Sequence, residues 1–298
     1  QFVVDLGNPD AFANIFNQID AILCEYPKID YLKWDMNRDL SHPGGHDGAA
    51  SVHRQTRALY ALIAKLRNKH SGVEIESCSS GGARADFGIL QHTDRIWTSD
   101  SNDALDRQLI QRGASYFFPL SVLGAHVGPR DCHVTGRHLS MKLRAATALF
   151  GHMGVEADLL EMDEEDCAAL KEAIALYKNN RELIHEGQFI RVDDAPWQNT
   201  VGVIAKDGSR ALYSCAILQS IPHVLPGVMK FHGLDPDRVY LLKVAWPTEV
   251  ETPYQIHLET YGMLHEGLEA RGDILKRVGL QLPLMMPESC LLFEVNAI

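Results

Sequence analysis

Tyr31-Leu32-Lys33-Trp34-Asp35-Met36-Asn37-Arg38 is the stretch on which the reading of this chain turns. A short apolar run from Ile29 to Leu32 has the character of a strand and leads directly into charge, with Lys33, Asp35 and Arg38 crowding its end. An interior strand excludes such groups, because burying an unpaired carboxylate or ammonium is costly. The carboxyl end of a strand in a parallel α/β barrel accommodates them, and catalytic groups collect there. Asp35 is therefore the first candidate for a working carboxylate, with Lys33 beside it. A solvated surface ion pair is the other reading of the same residues. A second acidic strand end further along the chain favours the first.

Working outward, the upstream side predicts an amphipathic helix. Asn8 is a suitable N-cap with Pro9 at the first helical position, and Phe12, Ile15, Phe16, Ile19, Ile22 and Leu23 follow at helical spacing. Downstream, a loop from Ser41 to His46 precedes a helix from about Ala49 to Lys69, whose apolar stripe is Leu59, Leu62, Ile63 and Leu66. A strand over Val73 to Ser77 then ends in the small and polar segment Cys78 to Asp86. Another strand, Arg95 to Ser99, has Asp100 at its end, and the next helix carries Leu105, Leu109 and Ile110. The pattern predicts a strand over Pro119 to Leu123, a helix from about Arg137 to Phe150, a strand over Gly154 to Ala157 and a helix from Asp163 to about His185. This alternation argues for a parallel sheet with covering helices. Some five strands are too few to close an eight-stranded barrel, and residues 1–187 read as the second half of one. From Gly187 the long helical stripes stop. Strand-like runs at Thr200 to Ala205, Ala211 to Leu218, Val239 to Val244, Gln255 to Leu258 and Leu291 to Val295, with turns at Asp207-Gly208 and Asp235-Pro236, predict an antiparallel β-sandwich over 188–298.

Composition limits the partners. The chain has 298 residues, 46% of them hydrophobic, and a net charge of −11, which argues against nucleic acid and anionic membranes as partners. No run is long and apolar enough to read as a membrane span. The cysteines Cys24, Cys78, Cys132, Cys167, Cys215 and Cys290 are scattered with no CxxC pair, so zinc-ribbon and redox motifs are unsupported and reduced thiols in a cytoplasmic protein are expected. Gln1 opens the chain in mid-pattern, which reads as a fragment or processed product. A half barrel standing alone is expected to expose edges and to self-associate.

Asp35 and Asp100 end two different strands and would share one rim. Paired carboxylates across a pocket are what glycoside hydrolysis needs, one to attack or stabilise the sugar cation and one to protonate the leaving oxygen; retention is expected when they stand about 5–5.5 Å apart. A phosphate or metal site could also be built from such a rim. His126 and His133 lack a third ligand and are read as loop braces. The acidic run Glu161, Asp163, Glu164, Glu165 and Asp166 is read as the solvated start of a helix, and Asp103 and Asp106 as first-turn acids favoured by the helix dipole.

Three motifs in order, Lys33 to Arg38 (KWDMNR), Glu76 to Asp86 (ESCSSGGARAD) and Trp97 to Ala104 (WTSDSNDA), resemble glycoside hydrolase family 36, the bacterial and fungal α-galactosidases. Gly124-Ala125-His126-Val127-Gly128-Pro129, Cys132-His133, Thr135-Gly136-Arg137 and Gly272 to Leu280 add to the resemblance, which spans nearly the whole chain. It implies a retaining α-galactosidase acting without a cofactor or metal on terminal α-galactosyl groups of galacto-oligosaccharides such as the raffinose series. It implies Asp35 as nucleophile and Asp100 as general acid/base. Lys33, Cys78, Gly81, Arg84 and Asp86 would bind substrate or hold its loop, Gly81 by leaving room for close approach. Cys78 as a small buried hydrophobe and Arg84 with Asp86 as a structural ion pair are the alternatives. The resemblance also implies a homo-oligomer for the full-length protein. The competing functions are an α-N-acetylgalactosaminidase or galactosyl-transferring relative on the same fold, and a non-catalytic carbohydrate-binding or assembly module. The segment over Ser101 to Ala104 departs mildly from the family pattern, and the family places a β-sandwich domain and the first barrel strands ahead of the matched region.

Overall fold

A computed structural model of the chain describes residues 3–40, 44, 48–193, 195–248 and 258–298. The chain divides into two compact units, residues 1–100 and 101–298.

In the first unit, helix α1 (Pro9–Glu25) begins as the sequence predicts, with the Asn8 side chain accepting the Asp10 N–H and Pro9 in the first turn. Strand β1 (Tyr31–Trp34), helix α2 (Val52–Lys69), strand β2 (Glu74–Ser77) and strand β3 (Arg95–Trp97) follow. β1 pairs with β2 and β2 with β3, both in parallel. Phe16 of α1 packs with Leu62 and Leu66 of α2, backed by Phe12, Ile15, Ile19 and Trp34. Ile22 sits at the edge of the predicted stripe and is half exposed. Successive strand residues face opposite ways. Lys33, paired in register with Glu76, and Glu76, paired with Arg95, therefore share one face, while Leu32, Ile75 and Ile96 share the other.

The second unit opens with helix α3 (Ala104–Ala114), strand β4 (Leu123–Val127), helix α4 (Met141–Ala148), strand β5 (His152–Val155) and helix α5 (Glu164–Glu186). β4 and β5 pair in parallel. Three boundaries differ from the sequence reading. Residues Leu120–Val122 form a 3-10 turn after Pro119, and the strand takes the later part of the same apolar run. Helix α4 starts at Met141 because Asp131 and His138 bridge across the preceding loop and Ser140 caps the helix. The β5 strand begins two residues early, at His152, in register with Gly124.

The remaining elements are β6 (Gln188–Val192), β7 (Gln198–Ile204), β8 (Arg210–Ile217), β9 (Val228–Met229), β10 (Val239–Trp246), α6 (Leu258–Glu266), β11 (Leu268–Arg271), α7 (Gly272–Arg277), β12 (Leu280–Gln281) and β13 (Ser289–Ala297). Six of these strands make one antiparallel sheet in the order β11-β10-β13-β8-β7-β6, and β9 pairs with β12 in a separate ribbon. The layer over the sheet is small: Met229, Phe231, Leu264, Leu275 and Leu282 from the ribbon and short helices close on Tyr213, Leu242 and Phe293 of the sheet. Of the strand expected over Gln255 to Leu258, residues 255–257 lie outside the described residues, and Leu258 opens α6. No helix among the described residues is long and apolar enough to cross a membrane.

Candidate active site

The chemistry-bearing residues of the first unit gather where β1, β2 and β3 end. Beyond Trp34, the β1 backbone stays beside β2, and the Cys78 N–H donates to the Trp34 carbonyl at 2.8 Å. Asp35 and Cys78 therefore follow Lys33 and Glu76 up the same side. The Cys78 side chain is buried, and its Sγ lies 3.6 Å from Asp100 Oδ1. Burial, first, and then its hydrogen bond to the Asp35 carboxylate push the Cys78 thiol up to about 12. At neutral pH it is a protonated wedge touching both acids, not a nucleophile. Asp35 and Asp100 themselves are exposed. Below them Lys33 Nζ stands 4.7 Å from the centre of the Trp97 ring. Trp97 is 1% exposed and serves as a packed floor beneath the ammonium.

The segment after Cys78 is held by hydrogen bonds to β1's continuation. Ser79 Oγ donates to the Met36 carbonyl at 2.9 Å. The Ser80 N–H donates to Asn37 Oδ1 at 2.8 Å, and Asn37 Nδ2 donates to Asp35 Oδ2 at 2.6 Å. Ser80 and Gly81 both take left-handed backbone, with φ of 43° and 72°. A Cβ on Gly81 would stand 2.6 Å from Ser99 Cα and 2.7 Å from Asp100 N. The sequence reading leaves room at Gly81 for a ligand; the neighbour that the missing Cβ admits here is the backbone that carries Asp100.

Arg84 is a fork within this assembly. Its Nη2 donates to the Trp34 carbonyl at 3.1 Å and to the Cys78 carbonyl at 2.8 Å, and its Nε to Ser77 Oγ at 3.2 Å. Burial holds its guanidinium below the ordinary range. Asp86 Oδ1 accepts the Ile89 N–H at 2.7 Å. Both residues direct these groups to the loop, the second of the roles the sequence implied for them. A cleft of about 610 Å³ opens beside the site, lined among others by Trp34, Asp35, Asn37, Tyr60, Arg84 and Asp86. Asn37 and Ser80 carry no assigned role in the sequence motifs that contain them. The signal for Asn37 was its place two residues beyond Asp35, on the same side of an extended chain.

Other candidates resolve differently. Asp103 is the N-cap of α3, accepting from the Leu105 and Asp106 N–H groups, Thr135 Oγ1 and Arg137 Nη1. Burial opposes ionisation there, but those donors outweigh it and hold the carboxyl below the ordinary range. His126 Nδ1 meets Glu156 Oε2 at 2.8 Å, a brace as expected, and His133 is exposed. The acidic run is not only a solvated helix start: Asp163 caps α5, and the half-buried pair it forms with Arg130 is joined by Asp166, which also takes Arg144 at 2.9 Å. The sequence could not show these partners because they come from other elements. Among the described residues, Asp20, Cys24 and His70 are close enough together to hold a metal. Asp20 is already taken by Lys69 Nζ at 2.6 Å and His70 Nε2 at 2.8 Å, so the group is an ion-pair cluster.

Comparison with known proteins gives this geometry a context. A family model described as Melibiase matches residues 1–187. An α-galactosidase of Escherichia coli is 43% identical over 301 residues, covering 99% of this chain and 42% of the relative. The α-galactosidase AgaA of Geobacillus stearothermophilus is 32% identical over 251 residues, covering 80% of this chain and 34% of its own length. A crystal structure of an AgaA variant in complex with raffinose superposes with a TM-score of 0.86 at 28% identity, over 99% of this chain and 39% of that one. The chain thus spans well under half the length of the relatives it matches. Its α/β part corresponds to the second half of a (β/α)8 barrel followed by antiparallel sheet, as the sequence predicts. By family pattern, relatives and fold together, the chain belongs to the melibiase family, glycoside hydrolase family 36.

Proposed function

We infer that the whole protein is a retaining α-galactosidase acting on terminal α-galactosyl groups of oligosaccharides of the raffinose type, with residues 1–187 supplying half of the catalytic barrel and 188–298 a β-sandwich domain. The observation that carries this reading is the thiol of Cys78, which contacts the carboxylates of Asp35 and Asp100 from two different strand ends. Two acids gathered around one small side chain are close enough to flank a single glycosidic bond. Asp35 attacks the anomeric carbon as Asp100 gives its proton to the leaving oxygen. A galactosyl ester on Asp35 results. Asp100, now ionised, takes a proton from water, which attacks the same carbon and releases galactose with its original configuration. Lys33, anchored over Trp97, places a positive charge where sugar hydroxyls and the Asp35 carboxylate meet. AgaA was solved with raffinose bound, which supports this substrate class for a relative of the same fold.

The test is hydrolysis of an aryl α-galactoside and of raffinose, with the anomer of the first-formed galactose followed by NMR. The α-anomer as first product is expected. The β-anomer would overturn the retaining mechanism, and turnover of the aryl α-N-acetylgalactosaminide in preference would overturn the sugar assignment.

A further inference from the structure

Asn37 stands between the Asp35 carboxylate and the loop that follows β2. Which way its amide points is settled by chemistry. The Ser80 backbone N–H can only donate, so the Asn37 atom facing it at 2.8 Å is the carbonyl oxygen. The other amide atom, the NH2 nitrogen, then faces Asp35 Oδ2 at 2.6 Å, and a carboxylate can only accept from it. The loop end of this relay is itself fixed. Ser80 holds left-handed backbone at φ 43°, a conformation a non-glycine residue keeps only when its surroundings over-determine it. Here Ser79 Oγ is tied to the Met36 carbonyl, and Gly81 lies against the Ser99–Asp100 backbone.

We propose that Asn37 is a positioning residue for the nucleophile: it locks the Asp35 carboxylate in one orientation and transmits the rigidity of the Ser79–Gly81 loop to it. The donor occupies Oδ2, which fixes the plane of the carboxylate and leaves Oδ1 to attack the anomeric carbon. A carboxylate free to rotate would present either oxygen and would lose the alignment that makes attack effectively unimolecular. This inference rests on the reading of Asp35 as nucleophile.

The test compares Asn37→Ala and Asn37→Asp with the parent in the whole protein, using an aryl α-galactoside. Removing a preorganised donor of this kind is expected to lower kcat by about 10²-fold, with KM within about twofold of the parent. Asn37→Asp keeps the shape but offers no donor, so it should lose at least as much as Asn37→Ala. A space-filling role would give the reverse order. The rate at which a 2-deoxy-2-fluoro-α-galactosyl fluoride labels Asp35 reads attack alone, and should fall with kcat while the thermal midpoint stays put. Full kcat in Asn37→Ala, rescue by Asn37→Asp, or a loss confined to KM would overturn the proposal. If Asn37→Ala does not fold, the isosteric variant decides alone. Asp35→Asn separates the two readings: turnover in that variant sinks the nucleophile, whereas a dead Asp35→Asn beside active Asn37 variants sinks only the positioning role.

Discussion

Asp100 and Asp103 are three positions apart in sequence and differ in almost every physical respect. Asp103 is 0% exposed, caps α3, and is held by Thr135 and Arg137. Asp100 is exposed and meets a buried thiol at 3.6 Å. Asp35 resembles Asp100, open to solvent with a short bond from Asn37. A carboxylate whose lone pairs are all filled from within the protein serves the fold. One that keeps lone pairs toward a cleft can serve a substrate. The contrast teaches that the accounting of hydrogen bonds separates these roles where residue type and sequence neighbourhood do not.

The comparison can be broken most directly at Asp35. Asp35→Asn should reduce turnover of an aryl α-galactoside by at least about 10⁴-fold, with no loss in denaturant midpoint, because an exposed acid gives up little in becoming an amide. Asp100→Asn should cost about 10²–10⁴-fold on raffinose, and less on an aryl substrate whose leaving group needs no proton. A large stability loss in either variant would place that acid with Asp103 instead.

Asp103→Ala should show the opposite pattern, destabilising by about 1–2 kcal/mol through the uncapped helix, while Arg137 keeps its pair with Asp106 at 2.8 Å. The sign with pH follows from the lowered Asp103 carboxyl. Its contribution is complete above the ordinary aspartate value of 3.8 and is lost as pH falls through the still lower folded value. Urea midpoints of parent and variant should therefore differ most near neutrality and converge in acid. Gly81→Ala sharpens the same contrast from the backbone side. The new Cβ meets the Ser99 and Asp100 backbone at left-handed φ, so a cost of about 1–3 kcal/mol is expected in melting experiments, with reduced turnover because Asp100 is displaced. The smallest effect concerns thiol reactivity. With Cys78 buried and pushed up to about 12, iodoacetamide at pH 8 should label the exposed Cys24 and Cys167 first, as peptide mass spectrometry would show.

The strand ends were legible because charge at the end of an apolar run contradicts burial; Lys33, Asp35 and Asp100 announced themselves that way. The N-cap at Asn8 was legible because its partner is two residues away. What the sequence hid was pairing between distant segments. Asp103 reads as a first-turn acid favoured by the helix dipole because Thr135 and Arg137 are some thirty residues further on. Asp166 looked solvated because Arg130 and Arg144 reach it from the preceding loop and helix. The slide of the strand from 119–123 to Leu123–Val127 has a different cause: the apolar run is longer than one strand, and only the partner β5 selects the window. The role of Asn37 was hidden because it depends on the direction of an amide that only the Ser80 N–H determines.

The separation of two acids on different strands is ordinarily a collective property of a whole sheet, sensitive to twist and to every packed layer beneath it. Arg84 changes the accounting. A single guanidinium joins the Trp34 carbonyl, the last before Asp35 at the end of β1, to the Cys78 carbonyl at the end of β2. The places of Asp35 and of the Cys78 thiol between the acids are thereby held by one planar side chain as well as by the sheet. A single replacement of Arg84, even by lysine with its one-point donor, removes this second tie between the two strand ends.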